Sequence, residues 1–365
     1  MLVKGTPIDK ERVKNILIIQ LGDIGDVVWA TPTFRAVKEF YDGARVSVLV
    51  RGGTERLLAG DPSLHRIFEV KGGKGVSFHR IKKDVGLIRE LRRERFDLVF
   101  DLRLDDRGAY MALLTGAPAR VAQPNKNLSW RNRFFTHLVE PSVSEEPVRG
   151  AAEQSLRTVR EVGVESKDSK PRIWVPAESM KRVRKLVKDE DMDETDGWIT
   201  LNPFSRWRYK EWKYEKWVEI IDWLWNQHNI STVIVGAPDE RKRGDYIAGR
   251  CAGRVFNLSG KTQLDELAGI LSLSKLHIGV DSAAPHIAAA TGTPTVIIYG
   301  PSSWRDWAPL GEEHIVIAPD CDCAPCHKKG CEGKGWSRCL EELAVDTVKQ
   351  ALEDRINRFV VGGRI

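Results

Sequence analysis

Short apolar runs alternate with amphipathic stretches along most of the chain. In the first half, the apolar runs that predict buried strands are residues 16–21, 46–50, 66–70 and 97–103, and the helical patterns between them lie near 27–40, 53–59 and 81–94. Strands that alternate with helices predict a mainly parallel sheet covered by helices on both faces.

The pattern changes between residues 165 and 197. This stretch contains ESKDSKP, a single charged helix pattern over Ala177–Lys188 and the acidic DEDMDETDG. Alternation then resumes, with strands predicted at 198–202, 231–236, 254–258, 276–280 and 295–300. A chain of 365 residues suits two domains. We therefore expect two Rossmann-like, doubly wound α/β domains that face a cleft and are joined near 170–190, with ligands beyond the carboxyl ends of the strands.

The composition is that of a globular protein without a membrane-spanning segment. The chain is 42% hydrophobic and 30% charged, and its apolar runs are far shorter than a membrane span. The N-terminus has no apolar signal region, so we expect a cytoplasmic protein. A net charge of +6 fits an anionic substrate or a membrane surface, although most such surpluses are simply a solvated basic face. We expect no nucleic-acid partner.

The segment ILIIQLGDIGDVVWATP resembles the start of a nucleotide-binding strand, turn and helix. Gly22 and Gly25 permit a tight turn, but the spacing G-x-x-G-D is not the dinucleotide-binding G-x-G-x-x-G. Asp23 and Asp26 would repel a pyrophosphate there, and Arg51 stands where a ribose-binding acid would end the next strand. A dinucleotide site is therefore disfavoured. Either aspartate could cap the helix or serve as a general base.

A better phosphate site lies in LHIGVDSAAPHIAAATGTPTVIIYGP. Ser282 and Ala283 are small, and Pro285 suits a first helical turn, so backbone N–H groups are exposed at a positive helix end. Asp281 ends the strand and could accept hydrogen bonds from sugar hydroxyls. His286 could donate to a phosphate or simply support the turn.

Two other strands are followed by polar residues. Ser205 and Lys210, with two arginines between them, come shortly after the 198–202 strand and could enter the same cleft or form a solvated basic loop. Asp239 and Glu240 follow the next strand, where either could bind ribose hydroxyls or cap a helix.

Five of the six cysteines fall between residues 321 and 339. Four of them could supply thiolates to a zinc or iron–sulfur site, namely Cys323, Cys326, Cys331 and Cys339. Their spacing is not that of the usual paired C-x-x-C ribbon. Free thiols with packing or redox roles are the alternative.

Five motifs, in order, resemble glycosyltransferase family 9. They are the G-D of the first loop, K-x-W after the first strand of the second domain, G-A-P-D-E-R, L-S-G-K-T-x-L-x-E-L and the turn D-S-x-x-x-H. The resemblance runs from about residue 14 to 352. This family contains the lipopolysaccharide heptosyltransferases, which are inverting enzymes of the two-Rossmann-domain B-type (GT-B) fold that use ADP-heptose.

The resemblance implies roles for individual residues. Asp26 would be the base that deprotonates the acceptor hydroxyl. For the donor, Lys210 would contact the phosphates or the sugar, Glu240 would bind the ribose, and Asp281 would bind the sugar. Ser282 and the following amide of Ala283 would bind the pyrophosphate. Ser205 and the turn histidine His286 would complete the donor-binding residues. The residues implied for an anionic acceptor are Arg51, Arg103 and Arg120.

The resemblance also implies the activity and the domain roles. We expect an inverting, metal-independent transfer of a heptose or similar sugar from an ADP-heptose-like donor to a lipopolysaccharide core or related surface glycan. The acceptor would be an anionic glycolipid, reached transiently at the inner face of the cytoplasmic membrane. No cofactor would be required, apart from a structural zinc if the cysteines bind one. The expected parts are an acceptor domain over 1–170, a donor domain over 171–342 and a segment over 343–365 whose helix packs back on the first domain.

The sequence departs from the best-known heptosyltransferases at two places. Ala283, Ala284 and Pro285 stand where many members have glycine and other residues, and the cysteine cluster is additional. The sugar therefore stays open. The alternatives are a nucleotide-sugar epimerase of the same fold, a non-catalytic nucleotide- or glycan-binding module, and an NAD-dependent oxidoreductase.

Overall fold

The computed structural model describes residues 2–70, 78–141, 151–194 and 197–361. The chain forms two compact units, Met1–Trp174 and Val175–Ile365. Thr195 and Asp196, which belong to the acidic stretch noted above, lie outside the described residues.

The first unit consists of a parallel sheet with one antiparallel edge strand. Its helices are α1 (Ile24–Phe40), α2 (Glu55–Leu58), α3 (Phe78–Arg93), α4 (Asp106–Thr115) and α5 (Ala152–Arg160). Its strands are β1 (Leu2–Lys4), β2 (Asn15–Gln20), β3 (Arg45–Arg51), β4 (Arg66–Val70), β5 (Leu98–Asp101), β6 (Ala119–Ala122) and β7 (His137–Val139). The strand order is β1-β7-β6-β5-β2-β3-β4, and β1 runs antiparallel to β7.

Residues on the two faces of the central strands enter two separate cores. Ile16 and Ile18 of β2 pack in one hydrophobic cluster, whereas Leu17 and Ile19 pack in another. Successive side chains of a strand point to opposite faces, so a continuous apolar run is the expected sequence of a strand buried on both faces. The strand order agrees, since β2 lies between β3 and β5 in the interior of the sheet.

The second unit contains a sheet in which all the strand pairs are parallel. Its helices are α6 (Ala177–Asp189), α7 (Tyr214–His228), α8 (Arg241–Ala248), α9 (Leu264–Leu273), α10 (Ala283–Ala290), α11 (Trp304–Trp307), α12 (Arg338–Glu342) and α13 (Val345–Val361). Its strands are β8 (Trp198–Asn202), β9 (Ser231–Ile234), β10 (Val255–Asn257), β11 (Leu276–Val280), β12 (Thr295–Ile298) and β13 (His314–Ile317). The strand order is β10-β9-β8-β11-β12-β13.

The last helix, α13, packs within the second unit. Val348, Leu352 and Ile356 recur at helical spacing and are buried in one cluster with Trp217 of α7. The expected return of this helix to the first unit stays a prediction. Among the described residues, none of the helices is long and apolar enough to cross a membrane.

The apolar pattern correctly predicted most strands of both sheets, including short ones such as β5 and β12, and missed four of those that the structure describes. The predicted strands at 198–202 and 276–280 coincide with β8 and β11. It predicted no strand at β1, β6, β7 or β13. The first three lie together at one side of the first sheet, and β13 is an edge strand of the second.

Candidate active site

The carboxyl ends of three adjacent strands bring together charged residues in the first unit. Asp23 and Asp26 follow β2, Arg51 ends β3, and Arg103 comes just after β5. Arg51 Nη1 lies 2.8 Å from Asp23 Oδ1, and Arg103 Nη1 lies 2.8 Å from Asp26 Oδ2. The first loop therefore carries two carboxylates, each paired with an arginine from a neighbouring strand.

Asp26 has one carboxylate oxygen engaged in the fold and another that is available. Its Oδ2 accepts the backbone N–H of Asp23 at 2.9 Å in a capping box, in addition to the bond from Arg103. A Cβ at Gly22 would lie 2.3 Å from this oxygen, so only glycine fits there. The side chain of Asp26 is 25% exposed, and no described residue donates a hydrogen bond to Oδ1. Asp26 can therefore cap α1 through Oδ2 and still act as a general base through Oδ1.

A buried ion pair supports the loop that carries Arg103. Arg131 and Asp101 are fully buried, with Nη2 of the arginine 2.8 Å from Oδ2 of the aspartate. Arg131 also donates to the backbone carbonyls of Asp105, Gln123 and Arg103. Burial raises the pKa of Asp101 to about 7, and the attraction of Arg131 opposes this rise. Sequence reasoning left Asp101 without a role and missed Arg131, which lies on the 3₁₀ helix Ser129–Phe134.

Arg120 does not join the charged group. It lies at the start of β6, and its guanidinium donates to the carbonyl oxygens of Ala117 and Phe134. These bonds hold the side chain near the amino end of its strand, whereas Arg51 and Arg103 stand at carboxyl ends. The structure therefore places Arg120 apart from Arg51 and Arg103, and its role in acceptor binding stays a prediction.

In the second unit, polar residues gather at the carboxyl ends of β9, β8 and β11, which are neighbours in the sheet. Lys210 Nζ lies 2.6 Å from Asp281 Oδ2, and both side chains are mostly buried. Asp281 directly follows β11, and Lys210 comes from the loop after β8. The structure thus brings together a cation and a carboxylate that the sequence placed 71 residues apart.

The helix α10 begins two residues after Asp281, and no side chain caps its N-terminus. Its N-cap residue Ser282 donates its hydroxyl to Asn202 Oδ1 at 2.9 Å and makes no cap bond to the helix. Asn202 is held in turn by its bond to the carbonyl of Val235. The first amides of α10, beginning with Ala283, are therefore not engaged by the cap side chain and can bind an anion.

His286 is a neutral residue at neutral pH. It is buried on α10, and burial lowers its pKa to about 4. Its Nε2 lies 4.0 Å from Asp281 Oδ1. A neutral imidazole can support the turn or donate one hydrogen bond, but it does not add positive charge for a diphosphate.

Glu240 and Ser205 belong to a second polar network, which also lies at the carboxyl ends of the strands. Arg243 bridges two carboxylates, with Nη1 2.8 Å from Glu211 and Nη2 3.3 Å from Glu240. Glu211 also accepts the backbone N–H of Ser205 at 3.0 Å. Burial raises the pKa of Glu240, while the N–H of Ala237 and the charge of Arg243 oppose this rise. Sequence reasoning missed Glu211 and Arg243, whose roles depend on the contact between α8 and the loop after β8.

The four cysteines proposed as metal ligands are not assembled into a metal site. Among the described residues, no group of three or more His, Cys, Asp or Glu side chains could hold a metal ion. Cys323 Sγ lies 3.7 Å from Cys321 Sγ, and Cys331 Sγ accepts the backbone N–H of Arg338. All the cysteines are free thiols, and burial raises the pKa of Cys339 to about 12. The charges of Cys321, Cys331 and Cys323 raise the pKa of Cys339 further, so these four thiols lie near one another. A structural zinc at the cysteine cluster stays a prediction.

A model of glycosyltransferase family 9 (heptosyltransferase) matches residues 85–337, which is more than half of the chain. The chain belongs to glycosyltransferase family 9. As a family 9 chain it is a glycosyltransferase, which sets aside the epimerase, the oxidoreductase and the non-catalytic module considered for the sequence.

Similar proteins agree with this assignment. Lipopolysaccharide heptosyltransferase 3 of Escherichia coli is 28% identical over 295 residues, which cover 78% of this chain and 84% of that protein. The crystal structure of a family 9 glycosyltransferase from Veillonella parvula superimposes with a TM-score of 0.80 at 20% identity, covering 94% of this chain and 97% of the other. E. coli heptosyltransferase WaaC with ADP-2-deoxy-2-fluoro heptose gives a TM-score of 0.69 at 18% identity, covering 93% and 99%. These structures show that this family 9 chain has the GT-B fold, with two Rossmann-like units.

Proposed function

We propose that this family 9 glycosyltransferase moves a heptose, or a similar sugar, from an ADP-heptose-like donor to a hydroxyl group of a lipopolysaccharide core or related surface glycan. The names of its relatives support the sugar and the acceptor class. The observation that carries the mechanism is the Asp26 carboxylate at the carboxyl end of β2, held by Arg103 and the fold through one oxygen and open at the other.

In the proposed reaction Asp26 is the general base. Its Oδ1 takes the proton of the acceptor hydroxyl as the hydroxyl oxygen forms a bond to the anomeric carbon. The bond from that carbon to the diphosphate breaks, and ADP leaves with the electron pair. Because the attack comes from the face opposite ADP, the configuration at the anomeric carbon inverts.

Arg103 would bind the anionic acceptor beside the base. Its side chain is 36% exposed, so an anionic group on the acceptor can reach the guanidinium that is paired with Asp26. Arg51, paired with Asp23, offers a second cation for the same anionic acceptor.

The second unit would hold the donor. Lys210 and the amides at the start of α10 would bind the diphosphate and stabilise the charge that develops on it as ADP leaves. Asp281 would accept hydrogen bonds from the sugar hydroxyls, and Glu240 from the ribose. With a lysine and a helix end to balance the diphosphate charge, we propose that transfer requires no divalent metal.

We also propose that the protein works in the cytoplasm and meets its acceptor at the inner face of the cytoplasmic membrane. This location follows from the proposed substrates, since nucleotide sugars are cytoplasmic and the acceptor is a lipid-linked glycan.

ADP release tests this function. Purified protein is incubated in EDTA with ADP-heptose and a lipopolysaccharide acceptor that lacks the heptose, and both ADP and the extended glycan are measured. We expect acceptor-dependent ADP release and a product of inverted anomeric configuration. A reaction with UDP-sugars or GDP-sugars alone would contradict the proposed donor, and a complete loss of activity in EDTA would contradict metal independence.

A further inference from the structure

Exposed apolar side chains concentrate on one part of the first unit. Four of the eight exposed large hydrophobic residues that the structure describes lie within 104–130. On α4 and the 3₁₀ helix, Tyr110 and Trp130 are 46% and 38% exposed, with ring centroids 5.5 Å apart. Phe134 contacts both rings, and Leu113 extends the surface by one turn of α4. A contiguous apolar surface of this kind marks an interaction site more often than single exposed residues do.

Basic residues flank both exposed rings. Arg107 precedes Tyr110 by three residues on α4, and Arg133 follows Trp130 by three residues on the 3₁₀ helix. Residues three apart share a face of an α-helix and eclipse one another on a 3₁₀ helix. Both arginines are exposed, and so is Lys126 in the preceding loop. A cation therefore lies on the same helix face as each of the two aromatic rings.

We propose that this surface, the α4 patch (Arg107, Tyr110, Leu113, Lys126, Trp130 and Arg133), binds a lipid bilayer that carries anionic headgroups. Tyrosine and tryptophan suit the interface between headgroups and acyl chains, because each has an apolar ring and a polar group. Exposed lysine and arginine are attracted to the negative surface of an anionic leaflet. The α4 patch contains both kinds of side chain.

Charge and position favour a bilayer over a protein partner. The three exposed cations outnumber the exposed acid Asp106 beside them, which complements an anionic surface. The loop that carries Arg103 leads directly into α4, so the patch adjoins the proposed acceptor site. This inference rests on the proposed function, since a lipid-linked acceptor requires the enzyme to work at a membrane. A bilayer bound at α4 would keep such an acceptor close to Arg103 and Asp26.

Vesicle binding tests the α4 patch. The full chain is sedimented with vesicles of phosphatidylethanolamine and phosphatidylglycerol, and separately with phosphatidylcholine alone. The variants are Tyr110→Ser/Trp130→Ser and Arg107→Glu/Arg133→Glu. Tyr246→Ser is the matched control, because Tyr246 is 41% exposed but lies on α8 of the second unit. We expect wild type and Tyr246→Ser to bind the anionic vesicles, and each double variant to bind about tenfold more weakly or worse.

Several outcomes would overturn this inference. They are no binding by the wild type, equal binding to phosphatidylcholine, unchanged binding by either double variant, and an equal loss in Tyr246→Ser. Self-association that both double variants abolish, without vesicle binding, would indicate a protein partner instead. Thermal unfolding verifies that each variant folds, and the charge-reversed variant alters only exposed side chains.

The vesicle assay contains neither a sugar donor nor an acceptor, so its result is independent of the proposed function. Vesicle binding without sugar transfer would contradict only the function. Sugar transfer to a soluble acceptor without vesicle binding would contradict only the α4 patch.

Discussion

The carboxylate of Asp26 has both a structural and a proposed chemical role. Oδ2 accepts from the N-cap amide of α1 and from Arg103, which fixes the position of the side chain. Oδ1 is then available in a fixed direction, as a general base requires. Gly22 makes this arrangement possible, since any larger residue would displace the carboxylate. Gly22, four residues before Asp26, thus has a steric reason to be glycine.

Replacing Lys210 tests the donor site at the scale of one residue. We expect Lys210→Ala to weaken ADP binding at least about tenfold, because the diphosphate loses a cation and faces the unpaired carboxylate of Asp281. Isothermal titration with ADP in EDTA measures the change. Lys213→Ala is the control, because this nearby lysine is half exposed and pairs with Glu341. Unaltered ADP affinity in Lys210→Ala would refute the assignment.

At the scale of elements, both groups of residues stand where parallel strands end. The carboxyl ends of β2, β3 and β5 and the loops that follow carry the paired carboxylates and arginines, and the loops after β8, β9 and β11 carry the donor-site residues. Ligands bind at this edge in doubly wound folds because the following helices present their N-termini there.

The loop after β5 depends on the 3₁₀ helix Ser129–Phe134, and one substitution tests this. Arg131→Met would leave Asp101 buried without its partner, so we expect the free energy of unfolding to fall by about 3 kcal/mol. Adding Asp101→Asn should recover part of this loss, since the buried charge is removed. Chemical denaturation measures both variants against Arg133→Met, an exposed control on the same helix. Strictly additive losses would show that the two residues are not coupled.

The sequence predicted the elements better than the contacts between them. Apolar runs buried on both faces identified β2, β8 and β11, and strand ends located Asp26, Lys210 and Asp281. The pairing of Asp26 with Arg103 joins residues 77 positions apart and depends on β2 lying next to β5. Periodicity gives no strand order, so Arg131 and Glu211 were missed and the separation of Arg120 from Arg51 and Arg103 was not foreseen.

At the scale of the whole molecule, buried neutral histidines make stability depend on pH. Burial lowers the pKa of His277 to about 3 and that of His286 to about 4. The unfolded chain binds a proton on each near pH 6.5, but the folded chain does not. The contribution of each histidine should therefore be fully present above about pH 6.5 and decrease as the pH falls, by about 2 kcal/mol at pH 5. Buried Asp101 acts in the opposite direction, because its raised pKa lets the folded chain keep a proton there that the unfolded chain has lost.

Unfolding in denaturant at pH 7.5 and pH 5 measures this effect. His277→Gln and His286→Gln should each reduce the difference between the two pH values, whatever they do to stability at pH 7.5. A difference that neither substitution reduces would show that other groups cause the pH dependence.

The most direct test of the account compares turnover and ADP affinity in Asp26→Asn. Asparagine still accepts the cap bond from Asp23, so the fold of the loop is kept while the base is lost. We expect turnover of ADP-heptose with acceptor to fall by about 10²-fold or more, with ADP affinity nearly unchanged. Asp23→Asn, which alters the neighbouring carboxylate paired with Arg51, should lose far less. Wild-type turnover in Asp26→Asn would contradict the central claim that this carboxylate deprotonates the acceptor.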